Sequence, residues 1–142
     1  MKIGPLLAPA ALLLLAASAL AAPPKNAVLL DFSSEALIDS AAAKALLAEA
    51  IPDKVWKVYP ASKWGFVSQV EGGLTGAGLC VVTARVMMVP LTQAMKAVLF
   101  RPEKIATAYD GQPGASAEQC KDLAKAKLGE AVQGVVSSLV KN

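Results

Sequence analysis

The stretch from Leu79 to Val89, LCVVTARVMMV, limits the possible folds more than any other part of the chain. It is rich in β-branched residues, contains neither glycine nor proline, and stops at Pro90, so it reads as a long strand. Alternation places Cys80, Val82, Ala84, Val86 and Met88 on one wholly apolar face, with Thr83 and Arg85 on the other. Such a strand belongs to a sheet that is dry on one side and half-solvated on the other, and the dry side needs a cover.

The C-terminal segment supplies that cover. Ser116-Ala117-Glu118-Gln119 has the form of a capping box, with Gln119 reaching back, and predicts a helix running to about Val140. Cys120, Ala124, Leu128, Ala131, Val132, Val135 and Leu139 fall on one stripe, with Asp122, Glu130, Gln133 and Ser137 opposite. The chain's two cysteines, Cys80 and Cys120, therefore face the same core. An even cysteine count in an exported chain reads as one structural disulfide, here tying the central strand to the last helix. The alternatives, a redox pair or thiolate metal ligands, lack a Cys-x-x-Cys or any other cluster of soft ligands.

Export itself is read from the N-terminus. Lys2 precedes an apolar run from Leu6 to Ala17, and Ala19-Leu20-Ala21 offers small residues at a cleavage site. This is the layout of a signal peptide, residues 1–21, with 22–142 left as a single α+β domain. The run is short for a membrane span, so an uncleaved anchor is the lesser alternative. No cysteine follows the run to carry a lipid, and no integral membrane insertion is expected after cleavage. The product is expected in the periplasm or outside the cell.

Between the ends, Ala27 to Phe32 reads as a strand. Ser33 or Ser34 is expected to cap a helix through Ala50, ending before Pro52. On a helical wheel, however, Leu37, Ile38, Leu46 and Leu47 point in four directions. Lys54–Tyr59 and Trp64–Glu71 read as two strands joined by a turn at 60–63, and Lys96–Arg101 and Lys104–Tyr109 as two more. The glycine-rich Glu71–Cys80 stretch lacks the lysine of a phosphate-binding loop and the third glycine of a dinucleotide fingerprint. It reads instead as a turn between antiparallel strands. The sum is an α+β fold: an antiparallel sheet of four to six strands with both helices on one face.

Catalysis finds little support. The chain has no histidine, which removes Ser-His-Asp and Cys-His chemistry and ordinary zinc or copper sites. Asp31, Glu35 and Asp110 leave a carboxylate-based hydrolase formally open. Ser62-Lys63 is a turn dipeptide rather than a strained nucleophile. Met87, Met88 and Met95 form a weak case for copper(I) against ordinary core packing. No catalytic residue, cofactor or metal is expected.

The constellation that stands out is aromatic. Trp56, Tyr59, Trp64 and Phe66 are interleaved with Lys54, Lys57 and Lys63. In a 54–66 hairpin, Lys57, Tyr59, Trp64 and Phe66 would share one face, with Lys63 at the turn, and form a recognition surface. The alternative is that these rings are core. Charges are scattered along the chain, which argues against nucleic acid as a partner. The reading is a small exported, non-enzymatic binding protein whose partner is another protein or a cell-envelope component. The alternative is a carrier of a small apolar or glycan ligand held between sheet and helix.

Overall fold

The computed structural model describes residues 22–140, and the segment read as a signal peptide lies outside the described residues. Four strands form one sheet in the order β1 (Val28–Asp31), β2 (Trp64–Leu74), β3 (Leu79–Pro90), β4 (Lys104–Pro113). Three helices accompany them: α1 (Ser40–Ala50), α2 (Asp53–Val58) and α3 (Ala117–Leu139). The fold is α+β, as the sequence predicts, but the sheet is mixed. β2 to β4 are antiparallel, whereas β1 runs parallel to β2, with Val28 opposite Gly65. A helix between two strands carries the chain back to the starting end, and the next strand then runs parallel. The sequence held that strand–helix–strand order.

β3 fulfils its pattern. Cys80, Val82, Ala84, Val86 and Met88 are buried, while Val81, Thr83 and Arg85 are exposed. On the same face lie Phe66 and Val70 of β2 and Ala108 of β4, and α3 packs against them with Leu128, Ala131, Val132 and Val135. Small residues let helix and sheet approach closely: a Cβ on Gly134 would lie 2.8 Å from that of Ala106. The expected disulfide joins Cys80 and Cys120 across this layer, with Cα atoms 5.5 Å apart. At the start of α3 the capping box is complete in both directions. Lys127 on α3 reaches Glu130 at 2.7 Å and Asp110 of β4 at 3.6 Å. The hydrogen bond to Glu130 holds Lys127 above the ordinary lysine pKa; desolvation opposes it, and the charges of Glu130 and Asp110 add to it.

Four local expectations need correction. The first helix begins at Ser40, capped by Asp39, whose carboxylate accepts from the Ala42 amide at 2.8 Å. Leu37 and Ile38 precede it in a turn and are both buried there, which explains why they fit no stripe. Lys54–Tyr59 is not a strand. It is α2, started by Pro52 at the cap and Asp53 in the first turn, burying Val55 and Trp56 while Lys54, Lys57 and Val58 face solvent. The 54–66 hairpin therefore does not exist. Lys96–Arg101 is not a strand either; residues 91–103 form an excursion with a single bridge, Leu91 to Ala97. The glycine-rich stretch does join antiparallel strands, but β2 continues through Gly72 and Gly73 and the turn is confined to Thr75–Gly78.

Candidate functional site

Strand direction gathers several separate segments at one end of the sheet. Val28 pairs with Gly65, Trp64 with Pro90, and Met88 with Lys104, so the starts of β1, β2 and β4 and the close of β3 lie together. α2 and the 60–63 turn lead directly into Trp64, where the Trp64 and Lys63 amides donate to the Pro60 carbonyl. The 91–103 excursion folds on itself at this end. The Thr92 amide donates to the Lys96 carbonyl at 2.9 Å, and the Met95 amide to the Thr92 carbonyl at 2.9 Å. Met95 takes a left-handed φ of 58°, rare outside glycine. The chain then returns through amides of Val98 and Glu103, which donate to the carbonyls of Pro90 and Met88.

The result is an open groove of about 610 Å³ lined by Trp64, Pro90, Val98, Phe100, Arg101, Pro102 and Glu103. Its two rings differ in kind. Trp64 is half-buried and held edge-on by Tyr59, with ring centroids 5.9 Å apart. Phe100, in the turn closed by the Arg101 amide and the Val98 carbonyl, is 84% exposed. A large apolar ring left that exposed, in one groove with a second ring, makes this end the candidate site.

The five residues singled out by sequence are thus divided. Phe66 is fully buried, edge-on to Trp56 at 5.3 Å, and belongs to the core. Tyr59 and Trp64 stay together and half-exposed, while Lys57 and Lys63 are exposed on α2 and on the turn before β2. Sequence reasoning missed Val98, Phe100, Arg101, Pro102 and Glu103, because Val-Leu-Phe resembles a strand. The flanking Pro90 and Pro102 were the signal that the run stands outside the sheet.

Charge separates along the molecule in the same sense. Segments 22–28, 50–64 and 90–104 carry Lys25, Lys54, Lys57, Lys63, Lys96, Arg101 and Lys104 against Asp53 and Glu103. The remaining described residues carry Lys44, Arg85, Lys121, Lys125 and Lys127 against Asp31, Glu35, Asp39, Glu49, Glu71, Asp110, Glu118, Asp122 and Glu130. Charges scattered in sequence are therefore sorted by the fold into a basic groove end and an acidic remainder.

Of the carboxylates named for hydrolysis, Asp31 and Asp110 are otherwise engaged, while Glu35 is exposed in the turn after β1. Asp31 accepts from the Ser33 hydroxyl at 2.6 Å and the Ser68 hydroxyl at 2.7 Å, and Asp110 faces Lys127. Met87 and Met88 lie on opposite faces of β3, and Met95 sits in the excursion that follows it. Among the described residues no helix is long and apolar enough to cross a membrane.

No protein-family model matches the chain, and no curated protein matches it in sequence. Among solved structures it is similar to a protein of Caulobacter crescentus CB15 provisionally named a lipoprotein. That match has 13% identity and a TM-score of 0.39 and covers 78% of this chain and 86% of that one. It is also similar to the PelC dodecamer of Paraburkholderia phytofirmans, with 11% identity and a TM-score of 0.40 over 86% of this chain and 96% of that one. At these values neither likeness carries a conclusion about activity or partner.

Proposed function

We propose that this chain is a small exported, non-enzymatic binding protein, and that it engages a protein or another component of the cell envelope through the groove at Trp64. The observation that carries this reading is the placement of Phe100, 84% exposed, beside a half-buried, braced Trp64 in one groove. A rigid aromatic anchor next to a charged rim of Arg101 and Glu103 has the anatomy of a recognition site. Export is supported by the signal-peptide layout of the sequence and by the Cys80–Cys120 disulfide, a bond that persists in oxidising compartments.

The carrier reading, for a small apolar or glycan ligand, uses the same groove. Its volume of about 610 Å³ suits a small molecule. The space between sheet and α3, where the sequence places such a ligand, is filled by Val82, Val86, Met88, Leu128 and Val132.

Affinity capture separates the two. The full chain is expressed, its processed and oxidised product is immobilised, and envelope and culture extracts are passed over it beside Trp64→Ala and Phe100→Ala columns. A protein or other envelope component enriched on the wild-type column and lost from both variants is the expected result. Equal retention on all three columns would remove the groove as the binding surface. Retention of glycan or small molecules alone would favour the carrier.

A further inference from the structure

We infer that the groove end seats on an anionic lipid surface, with Lys57, Lys63, Lys96 and Arg101 facing the headgroups and Phe100 entering the interface; the inference rests on the groove being the binding site and names what it meets. Two independent observations converge on this end of the molecule. The first is charge. The four cations are exposed and make no ion pair among the described residues, whereas Lys121 and Lys127 on α3 are each paired with a carboxylate. The acidic remainder of the molecule is repelled by the surface that attracts this end, so the charge separation orients the domain as well as holding it.

The second is apolar exposure set among those cations. Phe100 is 84% exposed, its neighbour Leu99 44%, and Val58 on α2 61%. Basic residues around protruding apolar side chains suit a headgroup–acyl boundary, which takes both kinds of contact at once. Leu99 and Val58 are aliphatic, which suits an acyl boundary better than the stacked bases that the rings of Phe100 and Trp64 could receive.

The test is co-sedimentation of the processed, oxidised protein with vesicles of phosphatidylcholine, with and without phosphatidylglycerol. Binding is expected only where phosphatidylglycerol is present, and it should weaken as salt screens the surface. Each of Lys57→Ala, Lys63→Ala, Lys96→Ala and Arg101→Ala should lower the affinity about fivefold. Lys44→Glu and Lys125→Glu, on the acidic part of the molecule, should not lower it. Phe100→Ser should weaken binding while leaving its salt dependence intact. All these side chains are exposed, so the variants fold. Equal binding to both vesicle types, no binding to either, or equal loss on Lys44→Glu would overturn the assignment. Capture of an acidic protein in a Trp64-dependent manner, without vesicle binding, would overturn the lipid assignment and leave the groove standing. Loss of both would remove the groove reading as well.

Discussion

Ser68 is the one fully buried polar side chain in the described core, and its position explains why a serine is tolerated there. It lies on the helix-covered face of β2, opposite Asp31 of β1, and donates to that carboxylate at 2.7 Å. Ser33 donates to the same oxygen and in turn accepts from the Val70 amide at 2.9 Å, so the short parallel edge strand is pinned by side chains where its ladder ends. Ser68→Ala should destabilise the fold by about 1.5–3 kcal/mol, read as a lower urea midpoint with an unchanged slope. Gly72 is a second fixed point. Its φ is 117°, and a Cβ there would run into the backbone carbonyl of Val81 on the neighbouring strand. Gly72→Ala should therefore cost more than about 2 kcal/mol. Gly73→Ala, with open space around it, should cost less; similar losses at the two positions would contradict the clash.

At the scale of elements, the disulfide acts between the two parts that carry the core, β3 and α3, and closes a loop with a sequence separation of 40. A Cys80→Ala, Cys120→Ala double variant should lose about 4 kcal/mol by loop closure, measured by denaturant unfolding against the oxidised parent. Both of these elements were legible in the sequence, because each carries one uninterrupted apolar pattern of sufficient length. The capping box and the cysteine positions reinforced them. The elements misread are those whose period is short or compound. α2 spans only Asp53–Val58, and its Val-Trp-Lys-Val composition favours a strand until Pro52 and Asp53 are read as a helix start. Leu37 and Ile38 bury themselves from a turn, which no periodicity reports. The parallel pairing of β1 was implied by element order rather than by any residue.

At the scale of the molecule, the sheet's two faces have different fates. One is sealed by α1 and α3. The other carries exposed Val81, Thr83, Arg85, Thr107 and Tyr109 over β3 and β4, while Leu91 lies over Gly65 at the groove end. Trp64 was picked out by the sequence for its company of aromatics and lysines, and it does line the groove, though through helix α2 and the 91–103 excursion rather than a hairpin. The rest of the groove was hidden because its residues come together only through the pairing of β2, β3 and β4. The basic end was hidden for the same reason.

The most direct measurement is the fluorine NMR spectrum of the chain carrying fluorotryptophan, assigned through Trp56→Phe and recorded with and without phosphatidylglycerol vesicles. Trp56 is buried at 7% exposure and serves as the internal reference, whereas Trp64 lines the groove. The account predicts that the Trp64 resonance shifts or broadens on binding while that of Trp56 stays in place. Binding that leaves Trp64 unmoved, or moves both equally, would contradict it.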